Sequence, residues 1–117
     1  MGFRFMRVFV FFDLPVLTAS DRREYRKFRK YLIQSGFIMQ QESVYSKLTL
    51  NGVSAKTVSS NVKRHAPPSG IVELLIVTEK QYANIEYITG EENSEYVSSF
   101  DRLLILWVFL DITIGNM

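Results

Sequence analysis

The sequence predicts an α+β fold in which two helices cover one face of an antiparallel sheet. Three observations carry that expectation. Apolar runs at residues 5–13 and 70–78 have the length and composition of buried strands. Amphipathic segments at 19–35 and 54–65 follow helical spacing and lie between strand-like stretches. Their order (strand, helix, strand, strand, helix, strand) returns both helices to the same side of one sheet.

The first strand, residues 5–13, carries apolar side chains on both faces, which predicts a central position covered on at least one side. Pro15 keeps a helix from starting earlier, and Thr18-Ala19-Ser20-Asp21 has the spacing of a capping box. Helix one then runs to about Ser35 and stops at Gly36, which accepts a left-handed backbone. At about 100° per residue, Tyr25, Phe28 and Leu32 share one face of it. Arg23, Arg26, Lys27 and Lys30 share the opposite face, with Arg22 and Arg29 at the margins.

Partial alternation at Val44, Tyr45, Leu48 and Leu50 predicts two strands within residues 37–50, divided by a turn at 40–43. Asn51-Gly52 is a turn, and helix two starts near Ser54 with Val58 and Val62 on one face. His65-Ala66-Pro67-Pro68 ends it, because proline cannot continue the helix and restricts the residue before it. A buried strand over 70–78 and a shorter alternating one over 83–88 follow. The whole is a ferredoxin-like βαββαβ plan with an extra strand, occupying residues 1–90.

Residues 91–117 read as an acidic linker followed by an apolar strand and tail. The run Leu103-Leu104-Ile105-Leu106-Trp107-Val108-Phe109-Leu110 needs a sheet edge to cover it, its own or that of a second copy. Exchange between two copies would build a homodimer, with Leu103, Ile105, Trp107 and Phe109 as its contacts.

A chain of 117 residues with 47% apolar content has material for one globular domain. It contains no cysteine, which excludes a disulfide framework or a thiolate metal site and fits a reducing cytoplasm. The first apolar run contains Arg7 and lacks a cleavage signature, and the uncharged run at 103–110 is too short to span a bilayer as a helix. No membrane role is expected. Charge is split along the chain: residues 1–80 carry 13 Lys/Arg against 6 Asp/Glu, residues 81–117 only 1 against 6. A basic body of that kind predicts an anionic partner.

Two features point to its chemistry. Residues 22–30 hold six cations and one anion, Glu24. A solvated helix face normally mixes signs for i,i+4 pairing, so this stripe predicts contact with successive phosphates of a nucleic acid. Asp13, at the end of the first strand, is either a Mg²⁺ ligand or a turn-capping acid. One aspartate makes a poor two-metal nuclease; two copies brought together by a two-fold axis would make a better one. Lys56, Lys63 and Arg64 form a thinner basic set that could extend the same surface, although it reads more readily as a solvated face, and His65 reads as a helix-end capping or surface residue. Tyr31, Tyr45, Tyr82, Tyr87 and Phe37 could stack on bases, although aromatics at strand spacing more often fill a core. There is no glycine-rich phosphate loop and no Ser/His/Asp set.

The segments Phe11-Phe12-Asp13-Leu14-Pro15, Tyr25-Arg26-Lys27-Phe28-Arg29-Lys30, Gly36-Phe37-Ile38-Met39 and Ser43-Val44-Tyr45-Ser46-Lys47-Leu48 occur in that order. The ordered set resembles the small CRISPR-associated protein family of spacer acquisition, in the variety found beside type II-A loci. The resemblance spans about residues 4–90; in the tail, the run 103–110 is more apolar than that family's pattern, and Asp111 to Met117 matches nothing in it. It implies a ferredoxin-like homodimer that bridges copies of a larger integrase subunit and clamps double-stranded DNA. It also implies, for some members, a Mg²⁺-dependent nuclease acting on RNA or DNA with Asp13 at the dimer axis, catalytic and metal-binding at once. The expected nucleic-acid contacts are Arg22, Arg23, Arg26, Lys27, Arg29 and Lys30. A small-ligand regulatory domain on the same plan would leave the cationic helix without a purpose.

Overall fold

The computed structural model describes residues 4–91, and the chain divides into two compact units, residues 1–85 and 86–117. The first unit runs β1 (Met6–Asp13), α1 (Ala19–Gln34), β2 (Ile38–Gln41), β3 (Val44–Thr49), α2 (Gly52–His65), β4 (Ile71–Thr78) and a single helical turn, α3 (Glu79–Tyr82). Among the described residues four strands form one antiparallel sheet in the order β2-β3-β1-β4, with β1 interior and β4 at the edge of that set. This is the ferredoxin-like arrangement expected, with both helices on one face.

Alternation along β1 decides what each face receives. Val8, Val10 and Phe12 point one way and, with Tyr45 of β3, meet Phe28 and Leu32 of α1 and Ala55 and Val62 of α2 in one buried cluster. Phe12 is its hub: its ring stacks on Tyr45 at 5.7 Å and meets Tyr25 and Phe28 edge-on at 5.9 and 5.5 Å. Burying each large apolar side chain here contributes about 1.5–3 kcal/mol.

The opposite face carries Arg7, Phe9 and Phe11, and its chemistry is mixed. Arg7 is only 1% exposed. Its guanidinium donates to Glu79 through Nε at 2.9 Å and Nη2 at 2.7 Å, and through Nη1 to Ser46 Oγ at 3.2 Å. Ser46 and Tyr82 both donate to Gln40 Oε1, at 2.6 and 2.9 Å, and the Arg7 guanidinium lies 4.5 Å from the centre of the Tyr82 ring. The network fastens α3 to the underside of the sheet. Elsewhere that side is open: Ile71 and Leu75 of β4 are more than half exposed.

The helix starts and stops follow local chemistry. Thr18 caps α1, accepting from the Asp21 N–H while Asp21 accepts from the Thr18 N–H, and Gly36 at φ +94° ends the helix. Asn51 and Ser54 exchange the same pair of bonds, so α2 begins at Gly52, two residues before the expected Ser54.

One expectation is overturned. Residues 83–88 are not a strand. Thr78 and Gln81 form a capping box that turns the chain into α3, and the N–H groups of Ala83, Asn84 and Ile85 bond back to Glu79, Gln81 and Tyr82 carbonyls. In the second unit, Tyr87 and Ile88 are exposed, and residues 86–91 hold no strand or helix. The predicted strand with Leu103, Ile105, Trp107 and Phe109 lies outside the described residues.

Candidate nucleic-acid interface

The outward face of α1 is built by the same periodicity that buries Phe28 and Leu32. Arg23, Arg26, Lys27 and Lys30 are all exposed. Among the described residues none of the four takes part in a salt bridge or hydrogen bond; the ion pair found there is Arg7–Glu79. The nearby acids do not relieve them: Asp21 is committed to the helix cap, and Glu24 is half-buried. Arg23–Lys27 and Arg26–Lys30 are like-charged i,i+4 pairs, each costing the helix a few tenths of a kcal/mol, on the order of 0.2–0.5. At about 1.5 Å rise per residue the four cations span roughly 10 Å, a length that reaches several phosphates of one strand.

Arg22 and Arg29 are placed differently. Arg22 donates through Nη1 to the carbonyls of Val16 and Leu17, at 3.2 and 3.1 Å, and so ties down the β1–α1 loop. Arg29 donates through Nε to the Tyr45 hydroxyl at 2.8 Å. Each keeps exposed N–H groups, but its side chain is also part of the fold. The free set is therefore four residues, with two more anchored at its margins.

The aromatic residues sort by burial. Tyr45, Tyr82 and Phe37 are core, leaving no open stacking platform among the three. Tyr31 lies half-buried against the His65 ring, with centroids 3.9 Å apart and planes 9° from parallel. His65 also bonds through Nδ1 to the Asn61 carbonyl at 2.8 Å, a capping contact at the end of α2. The long-range partnerships of Arg7 and Tyr31 are what sequence reasoning missed.

Asp13 ends β1 opposite Ile71 and is exposed. Among the described residues its carboxylate has no hydrogen-bond partner, so it does not cap the following turn. Its backbone is held closely from the other side. A side chain at Gly70, where φ is +91°, would place Cβ 2.7 Å from the Asp13 carbonyl oxygen, so glycine is required there. No group of three or more potential metal ligands occurs among the described residues. Asp13 thus fits Mg²⁺ as one hard donor to a largely hydrated ion, not as a complete two-metal site. No described helix is long and apolar enough to cross a membrane.

The family model for CRISPR associated protein Cas2 matches residues 6–85. A Treponema denticola protein named CRISPR-associated endoribonuclease Cas2 is 55% identical over 101 residues, covering 86% of this chain and all of the relative. Relatives of the same name from Streptococcus mutans and Ligilactobacillus salivarius are 46% and 45% identical, covering 86% of this chain and 93% and 100% of theirs.

Proposed function

The chain belongs to the CRISPR-associated Cas2 family, and from that premise we propose that it is a dimeric nucleic-acid-binding scaffold of spacer acquisition. In this reading it bridges copies of the larger integrase subunit and grips the backbone of double-stranded DNA through α1. The observation that carries the reading is the exposed row Arg23, Arg26, Lys27 and Lys30, which has no ion-pair or hydrogen-bond partner among the described residues. Such a row neutralises phosphates and releases their counterions without reading bases, which suits a protein that must hold spacers of any sequence. The half-exposed Ile71 and Leu75 on an edge strand support a second copy as partner, since a sheet edge with apolar side chains favours pairing.

Replacing Arg26, Lys27 and Lys30 by glutamate should abolish spacer acquisition, while Asp13→Ala should leave it largely intact. Acquisition that survives the triple change would count against the scaffold reading.

A second reading has its own support: the relatives are named endoribonucleases, and Asp13 offers an exposed carboxylate at a strand end with no partner among the described residues. Here Asp13 from each of two copies would hold Mg²⁺ beside the bound phosphodiester. A bound divalent ion supplies charge stabilisation and an activated water for hydrolysis; Asp13 contributes the fixed negative charge that holds it, and α1 keeps the strand in place. Labelled RNA and duplex DNA should be cleaved with Mg²⁺, spared with EDTA, and spared by Asp13→Ala. Cleavage by Asp13→Ala at the unchanged rate would remove this reading.

A further inference from the structure

Resting on the reading of α1 as a polynucleotide grip, we propose that the end of α2 adds a further phosphate ligand. Arg64 joins Lys27 and Lys30 to make a corner that spans both helices, and the Tyr31–His65 stack holds that corner in place.

Three observations lead there. The stacked rings, 3.9 Å apart, put the His65 flank of α2 directly against the Tyr31 flank of α1. Lys27 is four residues before Tyr31 and shares its flank, while Lys30 lies one residue round toward solvent. Arg64 lies about 100° from His65, on the outward side of α2, and its Nη2 donates to Oδ1 of Asn61. Asn61 is four residues before His65, so that bond draws the guanidinium back toward α1. It uses one of five donors and leaves the rest for a phosphate.

Lys63 supplies an internal control. It stands about 200° from His65 and so emerges on the flank of α2 that faces away from α1. Helix α2 contains no acidic residue, and among the described residues neither Lys63 nor Arg64 has an ion-pair partner. The two cations therefore match in exposure and pairing and differ in direction. His65 is a positioning residue: Nδ1 meets a carbonyl, which can only accept, so that nitrogen carries the proton and the ring serves as a packing plate.

The test is the salt dependence of affinity for a short DNA duplex, using the full chain. Removing one cation that neutralises a phosphate lowers the slope of log K against log salt by about 0.9. Arg64→Gln should lower it by about that much and weaken binding several-fold, whereas Lys63→Gln should lower it by less than half as much. His65→Ala should reproduce the Arg64→Gln slope although it removes no phosphate ligand, and His65→Phe, which keeps a stacking ring, should restore it. Equal slopes for Lys63→Gln and Arg64→Gln overturn the corner. If they are equal while Arg26→Gln/Lys27→Gln/Lys30→Gln still loses slope, the α1 grip stands without the corner. If that triple variant keeps the full slope, the α1 reading itself falls.

Discussion

Arg7 and the cations of α1 put the same kind of charge in opposite circumstances. Under the sheet, Arg7 is buried and fully met: a two-pronged carboxylate, a hydroxyl and an aromatic face. On the outside of α1, four cations stand in a row, and among the described residues no acid pairs with any of them. The contrast shows two uses of positive charge in one small domain. Where charge is structural, the chain supplies its own counter-charge, because an uncompensated buried ion costs several kcal/mol. Where the described residues supply none, the helix tolerates self-repulsion that a bound anion would relieve.

The comparison is broken most forcefully from the buried side. Glu79→Ala removes the carboxylate that faces the buried Arg7 guanidinium, and should destabilise the fold by about 3–5 kcal/mol in denaturant titration. Arg26→Gln/Lys27→Gln/Lys30→Gln should leave the denaturation midpoint unchanged or slightly raised, since it removes like-charge pairs. An equal loss of stability in both variants would erase the distinction.

Next in size is the affinity change on the exposed side. Charge reversal at the same three positions should weaken duplex binding by about a hundred-fold or more, on the order of 3 kcal/mol at 1.4 kcal/mol per decade. Gly70→Ala should cost about 1–2 kcal/mol through its left-handed backbone alone. The Asp13 carbonyl, 2.7 Å from the new Cβ, must also shift. Any Mg²⁺-dependent cleavage should then fall more than duplex binding does, and equal losses would separate Asp13 from the cleavage site.

The smallest effect concerns Lys47, whose Nζ donates to the Ser35 carbonyl at the end of α1. Burial pulls its ammonium below the usual 10.5. Between that lowered value and 10.5 the unfolded chain holds a proton that the folded chain has released, so stability should rise with pH across this window. Lys47→Met should flatten that rise; a wild-type profile that falls with pH there would contradict the assignment.

The readable parts of the fold were those written locally. Thr18 with Asp21 and Gly36 bracket α1 through short-range chemistry, and the apolar runs at β1 and β4 needed only composition. Residues 83–88 failed because alternation is a weak signal once Thr78 and Gln81 have already turned the chain. The cationic stripe was legible because helical spacing alone places it. Its margins were not: nothing near Arg29 in sequence announces Tyr45, sixteen residues on. Arg7 reaches Ser46 across 39 residues and Glu79 across 72, and Tyr31 meets His65 only after both helices have packed.

Duplex affinity measured across a range of salt, for the wild type and for Arg26→Gln/Lys27→Gln/Lys30→Gln, probes the outer face of α1 most directly. The wild type should give a straight line of log K against log salt, and the variant a line shallower by about 2.7, three phosphates at about 0.9 each. Parallel lines would mean that these cations never touch the phosphates.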